Sequence, residues 1–369
     1  MLNTNLTVTT NTGAAMTPTS GGLTVSTDAS SPSYMVAAGG ATGVTVGSFK
    51  FRAANEALSL NKLGLSYNSA STSASDLLQV TIWDGATQVG TATFTGTNST
   101  ATSTFSTAVT LPKDTDKVLT VKADIADIGT SQPATEGHLV VINYNSADTT
   151  GQSSGINVQG SGSTSVSGVR IFNTYPTIAL DTLPTNGVAD GRLLHFKVTA
   201  NSSGNVGIAQ FKFTIATSSL TAGGQVHAIN MYGYTDSGYS QPISGVGTGG
   251  LVNSTAQEAP SNAFTITPSS YVQVPAGQTY YFEVRAIVAG VQTGSSVSTT
   301  LLGDSSYLSL DSSPVASAFM TDATTASAAK NFIWSPNATS TAVTASNDWT
   351  DGYGLVGLPG SGIVSTRSN

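Results

Sequence analysis

The chain has no cysteine, which excludes disulfide staples, thiolate metal sites and cysteine nucleophiles. Charge is also scarce, at 9% of 369 residues against about 25% in ordinary soluble domains. The exterior must therefore be polar without being ionic. With 13 basic and 20 acidic residues and a net charge of −7, there is no basic footprint for nucleic acid or for an anionic membrane surface. No apolar run reaches the ~18 residues of a spanning helix, so no membrane span is expected. The opening MLNTNLTVTTNTG lacks the basic and apolar regions of a leader. The Ser/Thr-rich, Lys-poor composition favours an exported, extracellular protein whose leader was removed before Met1.

Amphipathic helical periodicity is missing as well. Short apolar runs are separated by Ser, Thr, Asn and Gly, with 39 Gly and 13 Pro in the chain. Thr and Val suit a pleated surface while Gly and Pro interrupt helices, which indicates an all-β fold.

What the sequence does contain is a repeat. In LPKDTDKVLTVKADI, the residues Leu119, Val121, Ala123 and Ile125 alternate with polar neighbours, the signature of a strand with one buried face. Adding 163 to each number gives Phe282, Val284, Ala286 and Val288, and takes Pro112 to Pro275. Upstream, Phe49, Phe51 and Ala53 map at an offset of 147 onto Phe196, Val198 and Ala200. The set Leu58, Leu60, Leu63, Leu65 maps at 148 onto Val206, Ile208, Phe211, Phe213. Both of these sets break alternation at the same step, as a β-bulge does when one extra residue restores the inward face. Val80, Ile82 and Trp83 match Ile229, Met231 and Tyr232 at 149. The jump from 149 to 163 leaves an insertion of about fourteen residues in the Gly-rich SGVGTGGLVNSTAQEAPSN, a loop by composition.

Short strands at regular spacing predict tandem Ig-like β-sandwich domains. The expected layout is an extended, Thr-rich arm over 1–21, sandwiches over 22–170 and 171–328, and a C-terminal β/loop segment over 329–369.

No cluster of residues announces catalysis. Gly245 to Gly250 satisfies G-x-G-x-x-G, but the succeeding LVNSTAQEAPSN is no helix opening, so a loop is expected. Gly151, Ser153 and Gly155 fit a nucleophile-elbow pattern by chance in so Gly/Ser-rich a chain. His195 and His227 fall where the first copy has Ser48 and Leu78, and His138 precedes an apolar strand. Each is read as a strand histidine, solvated or satisfied locally. No cofactor is expected. Asp124, Asp127, Asp181 and Asp190 are the calcium candidates, since loop carboxylates suit that ion, with solvated turns the preferred reading. Trp334, Trp349 and Tyr353 lie among turn residues and are the candidates for contact with a partner or a surface glycan. The preferred reading puts Phe332 and Trp334 on a strand closing the second sandwich, with Trp349 packed beside it.

The phrases VTVGSFKFRAANEALSLNKLGL, VTLPKDTDKVLTVKADI and FIWSPNATSTAVTASNDWTDGYGLVGLP resemble secreted Ig-like repeat proteins of Patescibacteria, the candidate phyla radiation. The resemblance implies a cell-surface or surface-layer component and carries over no functional residue. A non-enzymatic subunit that assembles with copies of itself into a surface layer or filament is therefore expected, the arm adding a strand to a neighbour. The alternative is an adhesin or carbohydrate-binding module.

Overall fold

The computed structural model describes residues 21–162, 164–185, 187–258, 263–308, 330–338 and 348–369. The expected N-terminal arm, apart from Gly21, lies outside the described residues.

The first half holds β1 (Gly22–Thr27), β2 (Met35–Ala38), β3 (Val44–Ala54), β4 (Leu58–Tyr67), β5 (Leu77–Asp84), β6 (Thr87–Ala92), β7 (Thr100–Leu111), β8 (Asp116–Ile125), β9 (Leu139–Val140), β10 (Ile142–Gly151), β11 (Asn157–Ser161) and β12 (Val169–Phe172). The second holds β13 (Pro176–Leu180), β14 (Arg192–Ala200), β15 (Val206–Ser218), β16 (Val226–Tyr234), β17 (Ala263–Ile266), β18 (Val272–Val274), β19 (Thr279–Val288), β20 (Ser296–Leu301), β21 (Phe332–Ser335), β22 (Thr350–Asp351) and β23 (Ile363–Ser368). Among the described residues there is no α-helix, as expected of a chain whose apolar residues alternate.

The strand order β5-β8-β3-β1 of the first half recurs as β16-β19-β14-β13 in the second. The matched apolar positions explain why. Phe49, Phe51, Ala53, Leu119 and Val121 are fully buried, as are Phe196, Val198, Phe282 and Val284. The shared break in alternation is a bulge in both halves: β4 shifts register between Leu60 and Lys62 against β7, and β15 between Ile208 and Gln210 against β21. The match fades at the end of β19. Pairing with β14 stops at Arg192 opposite Arg285, and pairing with β16 shifts register between His227 and Asn230, so the ladders are interrupted on both sides of Ala286, and Ala286 and Val288 are half-buried.

The halves close differently. In the first, β1 pairs in parallel with β11, joining both layers into one nine-stranded order that runs from β6 to β7. In the second, β13 and β23 do not pair, and separate four-stranded and seven-stranded sheets face each other across the core. The central strand is β15, which takes β18 and β17 along one edge and β21 and β20 along the other. The C-terminal segment is therefore part of the second sheet rather than an appendage: β21, β22 and β23 all lie in it.

The Gly-rich insertion covers the outer edge of β16, where β6 covers β5 in the first half. Leu251 bridges Tyr232, Pro242 bridges Tyr234, and Val252 N–H donates to the Met231 carbonyl at 2.8 Å. Gly250 has φ +85°, and a Cβ there would lie 2.5 Å from the Gly233 carbonyl oxygen. A glycine is thus needed for the close approach. The G-x-G-x-x-G run serves an edge, which would otherwise expose unpaired ladder groups.

A small sheet, β2-β12-β9, sits between the two cores. β2 and β12 run in parallel and share their side chains between the halves. Ala37, Val169 and Ile171 join the first core, whereas Val36 and Phe172 join the second. Phe172 packs edge-on against Trp334 with centroids 5.0 Å apart. Arg170 donates from Nε to the Tyr34 hydroxyl at 2.8 Å and lies 3.5 Å over the Tyr307 ring. These contacts make the junction continuous with both cores.

Candidate functional site

Trp334 and Trp349 are 1% and 0% exposed, so neither presents a face to a glycan. Of the two readings the sequence offered, the arrangement found is the packed one, and the contact role expected of these two rings is not available to them. The cause is the docking of the C-terminal segment: Trp334 is on β21, its Nε1 donating to the Asp351 carbonyl at 2.7 Å, and Trp349 packs against Tyr271 at 4.8 Å. Tyr353 is half-buried and packs on Tyr34 with centroids 4.4 Å apart.

The segment is held by buried carboxylates. Asp304 accepts from the amides of Asn331 (2.8 Å), Phe332 (3.1 Å) and Gly352 (2.9 Å). Burial nevertheless raises its pKa. Lys330 pairs with Asp351 at 3.0 Å, both side chains being buried. Burial, then the neighbouring Asp304, pushes Asp351 up to about 7. At the junction Glu136 accepts from the Asn173 amide at 3.2 Å and is pushed up to about 8, by burial and then by Asp348.

The calcium candidates do not converge. Asp124 accepts from Gly43 N–H and the Gln79 amide group, Asp181 from the Tyr239 hydroxyl, and Asp190 from Thr185 and Arg367. Asp127 lies against Gly40. Among the described residues no three His, Cys, Asp or Glu side chains are grouped as a cation site. The histidines are likewise apart. His138 bonds to buried Asp76 at 2.8 Å, His227 lies 3.8 Å from exposed Glu258, and His195 meets Glu283.

That last pair builds a site that the sequence reading missed. Glu283 follows Phe282 on β19, and alternation sends it outward; the structure leaves it 1% exposed. The reason is a cover over the outer face of the sheet. The turn after β16 carries Tyr239, stacked on the His195 ring at 3.9 Å. Tyr239 has φ +55° and is held there by Asp236, whose carboxylate accepts from the Gly238, Ser240 and Gln241 amides. A bulky residue with positive φ costs about 1 kcal/mol or more and persists only where the surroundings fix it.

His195 lies opposite Glu283 in the β14–β19 register, with Nε2 2.9 Å from Oε1, and its Nδ1 donates to the Thr182 carbonyl at 2.9 Å. Arg192 reaches Oε1 from Nε at 3.1 Å, and Arg285 binds Oε2. Burial pushes the Glu283 pKa up, but the hydrogen bonds from His195 and Arg285 outweigh it and hold the carboxyl below its ordinary value. Burial, then Asp181, raises the Tyr239 phenol well above its usual value. These side chains, with Thr182, Leu183, Pro184, Ser237 and Gly238, line a cavity of about 420 Å³.

The first half shows what this replaces. At the same register position Ser48 faces Thr120, hydroxyl oxygens 3.4 Å apart. Beside it Lys122 lies 4.3 Å over Trp83, as Arg285 lies 4.7 Å over Tyr232. The cation over an aromatic ring is kept in both halves, and only the second adds a His–Glu pair and a further arginine. The same offsets carry Thr120 to Glu283 and Lys122 to Arg285, so the repeat could have exposed the change.

No protein-family model matches the chain, and no curated protein is similar to it. Solved structures are similar at low superposition. One comprises manganese lipoxygenase of Gaeumannomyces graminis with part of zonadhesin of Komagataella pastoris: 11% identity, 76% of this chain and 88% of that one, TM-score 0.17. Another is the C-terminal domain of the AgI/II polypeptide BspA from Streptococcus agalactiae: 7% identity, 76% and 95% coverage, TM-score 0.21. A third is the collagen adhesin of S. aureus: 14% identity, 76% and 85% coverage, TM-score 0.16.

Proposed function

We propose that the chain is a non-enzymatic, extracellular structural subunit that assembles with copies of itself into a surface layer or filament. The observation that carries this reading is the junction. A sheet whose alternate side chains enter two different cores joins the halves into one continuous unit, as a repeating block requires. The charge-poor composition supports it, because uncharged polar surfaces approach one another with little repulsion. The buried acids act as fasteners: Asp304, Asp351 and Glu283 all bond to their own fold.

Assembly would use the Thr-rich arm, whose residues Leu2, Leu6 and Val8 share one parity. The receiving place would be the outer edge of β6 or of β7, the end strands of the nine-stranded order, each with a single ladder partner among the described residues. It borders a cavity of about 430 Å³ lined by Thr87, Val89, Thr107, Val109 and Lys117 among others. Sedimentation velocity and negative-stain imaging of the full chain, beside a chain lacking residues 1–20, test the reading. Polymers from the first and folded monomers from the second are expected. Monomers at every concentration of the full chain would overturn it.

A further inference from the structure

We infer that the cavity over β14 and β19 is a recognition site for a carboxylate-bearing sugar residue, a role separate from self-assembly. Arg192 and Arg285 are register partners on adjacent strands, and both guanidiniums are fixed on the Glu283 carboxylate. Glu283 itself is out of reach of solvent, whereas the two arginines are 40% and 39% exposed and line the cavity. A guanidinium carries five donors in a rigid fork. Arg192 commits only Nε to the bonds made among the described residues, which leaves its two terminal amino groups for a ligand. Arg285 spends Nε on Glu283 and Nη2 on Glu283 and the Tyr234 hydroxyl, so the open fork is that of Arg192, with the second cation beside it adding charge. A fork so held suits the bidentate capture of a carboxylate.

Other features favour a sugar over an acidic peptide. Beside the guanidiniums the cavity carries the Asp181 carboxylate and the Thr182 and Ser237 residues, whose oxygens can accept from the several hydroxyls of a ring. Tyr239 and Pro184 provide the flat apolar surfaces on which a sugar ring lies. At about 420 Å³ the volume is within the roughly 300 to 1,000 Å³ of small-molecule sites.

Packing does not demand the cluster. The first half fills the same register position with Ser48 and Thr120, and buried ion pairs are often no more stable than simpler replacements. The second half nevertheless adds His195, Glu283, Arg192 and a strained tyrosine at one place.

The test is a titration of the isotopically labelled full chain with glucuronate, followed through the ring signals of His195 and Tyr239. Glucuronate is expected to shift both signals saturably, in about the millimolar range for so small a ligand. Glucose at equal concentration is expected to leave them in place. Arg192→Gln should weaken glucuronate at least tenfold, and Arg192→Lys, which keeps the charge and the pairing with Glu283, should weaken it as well because the fork is lost. Equal shifts with glucose would make the site one for neutral sugars and overturn the acidic specificity. Equal shifts with N-acetylglutamate would make it an acidic-peptide site. No saturable shift with any of the three would reduce the cluster to a structural ion network. All three results leave the assembly reading untouched, since sedimentation decides that one.

Discussion

His195 and Glu283 stand opposite each other on neighbouring strands, 88 residues apart in sequence, with imidazole Nε2 2.9 Å from carboxylate Oε1. The first half places Ser48 opposite Thr120 at that position. One architecture thus supports either two hydroxyls or a buried ion cluster, and the second choice makes the neighbouring side chains depend on one carboxylate.

That dependence sets the first expectation. Glu283→Gln leaves Arg192, Arg285 and His195 without their shared anion and should cost about 3 kcal/mol or more, read as a lowered urea midpoint. The double change His195→Ser with Glu283→Thr should cost less than Glu283→Thr alone. It restores the hydroxyl pair, and the arginines, each more than a third exposed, can turn to water. Additive losses would contradict the coupling.

Glu136 fixes a pH dependence. Its folded pKa of about 8 is above the ordinary carboxyl value, so the native state keeps a proton that the unfolded chain has released. Between about pH 4.5 and 8 the unfolded state binds fewer protons, and stability must fall as pH rises through that window. Asp351, raised to about 7 by burial and by Asp304, adds a slope of the same sign. Thermal unfolding from pH 5 to 8 should show the decline, and Glu136→Gln should flatten it and raise the midpoint at pH 8. An unchanged slope in that variant would refute the assignment.

Glu56 governs the acid side. Bonds from the Ser154 hydroxyl and from the Ser154, Ser153 and Gly21 amides hold it at about 2. The stabilisation is complete above the unfolded carboxyl value and is lost as pH falls towards 2. Glu56→Gln is therefore expected to be milder in its effect at pH 2 than at pH 6, measured by urea unfolding at each.

Trp334→Ala and Trp349→Ala each remove a fully buried ring and should cost about 3 to 5 kcal/mol. With the half-buried Trp83 replaced by Phe, the chain should fluoresce as buried indole, and added saccharide should leave these two rings unquenched. Quenching would return them to the role of contact residues.

Asp304→Asn removes the charge that gathers three amides. Hydrogen exchange at Phe332 and Gly352 should accelerate by roughly tenfold, about 1.4 kcal/mol of lost protection, with the β14–β19 ladder unaffected. Equal acceleration in both places would mean that the C-terminal strands are not a separately fastened unit.

Much of the fold was legible because burial on a pleated strand repeats every second residue. Phe49, Phe51 and Ala53 in the first half, and Phe196, Val198 and Ala200 in the second, announced their inward faces without any knowledge of partners. The bulges at Asn61 and Ala209 were legible for the same reason, since an added residue leaves a visible step in the alternation. The site was not. Parity sends Glu283 to solvent, and only the turn bearing Tyr239 makes that face an interior. The aromatic C-terminal stretch left two readings open for a related cause: Trp334 and Trp349 sit among turn residues, and their burial depends on β15, more than a hundred residues earlier.

The sequence by itself determined strands, bulges and a duplicated order, because these follow from local periodicity and from the chain's own internal comparison. Tertiary structure alone decided that β22 and β23 join β21 in the second sheet, that two cores share one small sheet, and that a histidine, a glutamate and two arginines meet. Those outcomes depend on which distant segments cover a face, and covering changes what a side chain's outward direction means.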